Sequence, residues 1–192
     1  MRNDDALFAA RKVILVEGVS DILAVRATAE RAGRSLDDEG IAVLSLGGGG
    51  GFDAHVKVLG PAGLGVELLG LCDVDHEAHW ARRLELAGFG TAIDRQAMEA
   101  FGFFVCDRDL EDEFIKTLGV AKIERLIAAE GELWALEVLA QQPAHRDENR
   151  RDQLRRFFGT KSGRKARYAP LLVAATAPGE EPRPLREVLA RA

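Results

Sequence analysis

Apolar residues fall into two rhythms along this chain. Continuous apolar runs occur at KVILV (12–16), IAVLSL (41–46), GVELLGLC (65–72) and FGFFVC (101–106). The first is a β-branched run of the kind buried on both faces of a parallel sheet, and the others read as strands too. Between them the apolar positions recur at helical spacing. SDILAVRATAERAG (20–33) has Ser20 as its cap and Gly33 as its close; FDAHVKVLG (52–60) and EAHWARRLELAG (77–88) follow the next two strands. Residues from about 110 to 175 read as mostly helical, with breaks near Pro143 and Gly159, and TAPGEEPRP (176–184) is a loop before a last short helix. Strand and helix alternate, which predicts an α/β fold: a mostly parallel four-stranded sheet flanked by helices. The expected division is a core over 7–120 and a helical extension over 121–192.

In an open α/β sheet, sites form where the carboxyl ends of the strands emerge. Here those ends are acidic. Glu17 follows the first strand, Asp73 and Asp75 the third, and Asp107, Asp109 and Glu111 the fourth. Three strand ends bringing carboxylates to one edge suit a hard divalent cation such as Mg²⁺ or Mn²⁺. The competing explanation is helix capping, since each carboxylate also precedes a helix. His76 and His79, with Asp73, form a conceivable zinc set, but HEAH lacks the four-residue histidine spacing of metalloproteases.

Composition narrows the class. The 192 residues suit one domain with a small appendage, and 47% hydrophobic with 30% charged residues is ordinary for a globular protein. There is no charged-then-apolar leader and no run long enough to span a bilayer, so a cytoplasmic location without a membrane partner is expected. Cys72 and Cys106 each end an apolar run and read as buried thiols. The net charge of −5 is uneven: residues 1–145 carry 14 Lys/Arg against 25 Asp/Glu, whereas 146–167 carry 9 against 3. That basic stretch is either a solvated helix or a surface for a polyanion. Trp80 and Trp134 are expected in the core, as are Phe157 and Phe158 where the basic helix docks. The glycines at 47–51 read as a mobile turn, or as a cradle for phosphate.

The wording of these segments also resembles a known family. VILVEGVSD, a strand entering Glu-Gly with an acid four residues on, resembles the first motif of TOPRIM domains, and LLGLCDVD resembles their second, a strand entering Asp-x-Asp. LFAARKVILVEGVSD is similar to the start of the nuclease half of OLD (overcoming lysogenization defect) proteins. CDRDLEDEF is similar to their Asp-Leu-Glu motif, and GRKARYAPLL to their closing basic-aromatic helix. The resemblance implies a TOPRIM-like, Rossmann-like sheet and a Mg²⁺- or Mn²⁺-dependent DNA endonuclease. It implies a first metal site from Glu17, Asp21, Asp73 and Asp75, and a second from Glu111 with Asp109. Lys165 would be the basic residue near the scissile phosphate, with Lys161 as its alternative. Glu17 would be a ligand or a general base, and Gly18 would let backbone approach metal or substrate.

OLD nucleases usually carry an ABC-type ATPase before this domain. No Gly-Lys-Ser/Thr phosphate loop occurs here, and few residues precede the first strand. The expectation is therefore a chain without its own ATPase, working on DNA with a separate ATPase subunit or a second copy. The alternatives are a catalytically silent TOPRIM domain that binds nucleic acid or an ATPase partner, a primase-like nucleotidyl transferase, and a receiver-like phosphate-binding protein.

Overall fold

The computed structural model describes residues 10–47 and 51–192. Four strands, β1 (Lys12–Val16), β2 (Ile41–Ser45), β3 (Glu67–Asp73) and β4 (Phe103–Cys106), form one sheet in the order β2-β1-β3-β4, and all three pairings are parallel. The helices between them are α1 (Val19–Arg31), α2 (Phe52–Leu59), α3 (Val74–Leu86) and the short α4 (Arg95–Ala100). After β4 come α5 (Leu110–Leu118), α6 (Val120–Ala129), α7 (Leu133–Ala140), α8 (Arg150–Gly159), α9 (Arg164–Ala175) and α10 (Arg183–Arg191). Among the described residues no helix is long and apolar enough to cross a membrane.

Successive side chains of a strand point to opposite faces, and the two faces have separate cores. Ile14 and Val16, with Leu69, Leu71, Phe104 and Cys106, pack with α1 and with residues from beyond position 120, including Phe157, Phe158, Tyr168 and Leu185. Val13, Leu15, Leu68, Cys72, Phe103 and Val105 pack against Phe52, Trp80, Leu84 and Met98 of α2, α3 and α4. Both faces are covered, which is why the strands read as unbroken apolar runs. Trp80 stacks on Phe52 with ring centroids 4.0 Å apart. Gly70 lies beneath this cluster: a Cβ there would stand 2.6 Å from both Phe103 Cδ1 and Trp80 Cζ3, so only glycine lets the rings sit on the sheet.

Most elements begin and end near where the apolar rhythm places them. α4 is an addition, since residues 95–100 have only a weak helical pattern and depend on Met98 packing into the second core. Phe157 and Phe158 are fully buried as expected, and both cysteines are free, buried thiols whose pKa burial raises. Trp134 departs from expectation. It is 77% exposed, because α7 turns Leu136 and Leu139 inward and leaves Trp134 and Val138 outside. Gly48 to Gly50 lie outside the described residues, and with them the reading of the glycine run as a turn or a phosphate cradle.

Candidate functional site

Parallel pairing carries the strand ends to one edge, and the register brings the acids close. Val16 pairs with Leu71 and Asp73 with Cys106, so Glu17, Asp73 and Asp107 leave the sheet on the same side. The backbone N–H of Asp73 donates to Glu17 Oε1 at 2.8 Å. His76 Nδ1 lies 2.7 Å from the same oxygen, which leaves Oε2 of Glu17 uncommitted. Asp21 sits in the first turn of α1, where its Oδ2 accepts the Gly18 N–H at 2.9 Å. Gly18 itself has an extended backbone, and a Cβ there would make only ordinary contacts, the nearest with Asp21 Oδ2 at 3.7 Å. The fold alone does not demand glycine at that position.

The far side of the group comes from α5 and α9. Glu111 is buried, and its Oε2 accepts from Lys165 Nζ at 2.6 Å. Asp109 caps α5, with Oδ1 accepting the Asp112 N–H at 2.8 Å and Oδ2 the Arg155 Nε at 2.6 Å, while Lys165 Nζ stands 4.0 Å away. Capping therefore accounts for Asp109, as the competing explanation anticipates. It does not account for Asp73, which precedes α3 without a side-chain cap bond.

The electrostatics show that these groups share one environment. Burial, then the charges of Glu17, Asp21 and Asp109, push the Asp73 carboxyl up to about 8, against a weaker downward pull from Lys165. Burial and then Glu111 raise Asp21 to about 7; its bond from Gly18 opposes this and Glu17 adds to it. Glu111 is raised mainly by burial, with Lys165 opposing. Burial works to lower Lys165, but Glu111, Asp109 and Asp73 outweigh it and hold the ammonium above its ordinary value. Burial together with neighbouring carboxylates disfavours the ionised forms here, so these groups hold their protons more tightly unless a cation joins them.

The structure thus brings Glu17, Asp21, Asp73, Asp109, Glu111 and Lys165 into one neighbourhood. Asp75 is exposed in the first turn of α3. Lys161 is exposed and 3.8 Å from Glu132, away from the group. The zinc set is not formed, since His76 faces Glu17 and His79 Nε2 lies 3.3 Å from Asp53 Oδ1. Among the described residues no three carboxylate, imidazole or thiolate groups stand together closely enough to complete a metal-binding set. The donors nonetheless fit a hard divalent cation in kind, being carboxylate oxygens, and in setting, since burial and neighbouring carboxylates make a cation among them favourable. Two members of the site were not foreseen as such. His76 orients Glu17, and Arg155 holds Asp109 from 46 residues away in sequence; nothing in local spacing signals either pairing.

Comparison with known proteins identifies the family of this fold. A family model described as "Overcoming lysogenization defect protein-like, TOPRIM domain" matches residues 7–75, the segment holding Glu17, Asp21, Asp73 and Asp75. The solved C-terminal region of the Xanthomonas campestris pv. campestris OLD protein is 30% identical, with a TM-score of 0.73 over 96% of this chain and 93% of that one. The C-terminal region of the Burkholderia pseudomallei OLD protein is 27% identical, with a TM-score of 0.72 over 94% of this chain and 96% of that one. No curated protein matches the chain. With its strand order, its acidic edge and a 30% identical relative matched over nearly its whole length, the chain belongs to the OLD family and corresponds to the TOPRIM-bearing C-terminal region of its members.

Proposed function

We propose that this chain is a divalent-metal-dependent DNA nuclease domain that cleaves phosphodiester bonds at the acidic edge of the sheet. The observation that carries the reading is the gathering of Glu17, Asp21, Asp73 and Glu111 at the strand ends with Lys165 as the cation facing them, where burial and then neighbouring carboxylates raise Asp21 and Asp73. Glu17 through Oε2, Asp21, Asp73 and Glu111 are the residues that would hold Mg²⁺ or Mn²⁺. Bound divalent ions there would supply the charge that activates a water and stabilises a leaving oxygen.

The chain's own groups have separate tasks. Asp73 N–H and His76 fix the Glu17 carboxylate, so its free oxygen keeps one direction. Lys165 offers a compact positive charge for a phosphate oxygen, held ready by Glu111. Asp109, with both oxygens engaged, keeps Arg155 in place, and Asp75 stays outside the set in this reading.

The test is plasmid nicking by the purified protein. Nicking is expected with Mn²⁺ or Mg²⁺, none with EDTA, and none from Asp73→Ala. Undiminished nicking by Asp73→Ala would sink the proposal. A second reading, a silent domain that binds nucleic acid or an ATPase partner, is favoured by one observation: Lys165 neutralises Glu111 while no three donors converge among the described residues. DNA binding with no turnover in any divalent ion, alone or with an OLD-type ATPase, would select it.

A further inference from the structure

A cleft of about 370 Å³ opens beside the acidic group, between the start of α5 and α8. Arg108, Arg155, Arg156 and Lys165 line it together with Asp109 and Asp152. It shares Asp109 and Lys165 with the carboxylate group, so the two regions are continuous. Three of its cations are already held: Arg108 by Asp152, Arg155 by Asp109 and Lys165 by Glu111. Each of the two held arginines spends one nitrogen on its carboxylate, and its remaining N–H groups have no hydrogen-bond partner among the described residues. They are thus donors in fixed positions. Arg156 is different. It is exposed, lines the cleft and has no carboxylate partner among the described residues.

The sign and spacing of the charges narrow the ligand. Four cations stand against the carboxylates of Asp109, Asp152 and Glu148, a small positive excess. A positive excess of this kind attracts phosphate anions, and arginine N–H groups in fixed positions suit their oxygens. A DNA strand also brings a run of such charges, of which one reaches the acidic group while a neighbour falls beside it. Gly159, also in the lining, has no side chain to fill the space.

We propose that this cleft seats a backbone phosphate of the DNA strand adjacent to the one at the carboxylate group, with Arg156 as its uncommitted contact and Arg108 and Arg155 as pre-positioned donors. The placement rests on the nuclease reading for where the strand enters, but binding tests it independently of cleavage. A short fluorescein-labelled duplex is titrated by anisotropy with the whole chain in EDTA over a series of salt concentrations. Each phosphate contact contributes about 0.9 to the slope of log affinity against log salt. Arg156→Ala is expected to lower that slope by about one. Arg125→Ala, which removes an exposed arginine of α6 outside the cleft, is expected to leave it unchanged. Equal slopes for wild type and Arg156→Ala would overturn the proposal. So would equal losses in both variants, no duplex binding by the wild type at low salt, or displacement by inorganic phosphate at the concentration of the oligonucleotide. Undiminished nicking by Asp73→Ala would sink the nuclease reading and leave this slope difference standing.

Discussion

Replacing Asp73 by asparagine removes a titratable group and almost nothing else. The Asp73 side chain makes no cap bond, and the bond to Glu17 comes from the backbone N–H. In the folded chain the Asp73 carboxyl is raised from 3.8 to about 8. A group raised in this way binds its proton more tightly folded than unfolded. Its favourable contribution is complete below about pH 4 and is lost as pH rises toward about 8. At about pH 7 the unfolded chain has released that proton and the folded chain mostly has not, a gap of about 3 pH units or about 4 kcal/mol at 1.36 kcal/mol per unit. Asp73 is half-buried, and solvent screening brings the expected gain from Asp73→Asn to about 1–2 kcal/mol near neutral pH without divalent ions. For a chain of this length that corresponds to a rise in Tm of about 4 °C. Urea and thermal unfolding followed by circular dichroism in EDTA, from about pH 4 to about pH 8, measures it. The variant's advantage should be largest at the alkaline end and vanish at the acid end. Added Mn²⁺ should then stabilise the wild type more than the variant, since only the wild type keeps the full set of donors. A variant that is no more stable than wild type at about pH 8, or an advantage that does not depend on pH, refutes the idea that these carboxylates crowd one another.

Two further outcomes are expected. Lys165→Met should abolish nicking and, because it strands the buried Glu111 carboxylate, cost about 2–3 kcal/mol in metal-free unfolding; Lys165→Arg should restore most of the stability and little of the activity. Arg151→Ala removes the fork that binds both oxygens of Asp112, whose side chain is fully buried, and should cost about 2 kcal/mol by urea unfolding; adding Asp112→Asn should recover part of that loss. An Arg151→Ala protein as stable as wild type would show that Lys116 and Arg108, near 4 Å from Asp112, suffice alone.

The strands were legible because a sheet covered on both faces leaves a continuous apolar signature, and Ile14, Leu15 and Val16 are all fully buried. The acidic edge was legible for a related reason, since parallel strands must deliver Glu17 and Asp73 to one side. The basic segment was not. Its charge suggested a surface, yet Arg150 pairs with Glu124, Arg151 with Asp112, Arg155 with Asp109, Arg164 with Glu132 and Arg167 with Glu130. Most of that charge is spent inside the molecule, and a net count cannot distinguish spent from free charge. Trp134 misled for the complementary reason. Helical spacing identifies which residues share a face, but not whether a neighbour covers it. The Lys165–Glu111 pair spans 54 residues and came from resemblance, since no local pattern links the two.

The order of synthesis gives the position of Lys165 a consequence of its own. The acids at residues 17, 21, 73 and 111 leave the ribosome well before α9, which brings the lysine and packs against α1 from the other end of the chain. A nascent or clipped chain lacking that helix has the acidic groups and a partly uncovered sheet face, but not the cation that faces them. Only a chain that includes α9 therefore assembles the complete charge arrangement.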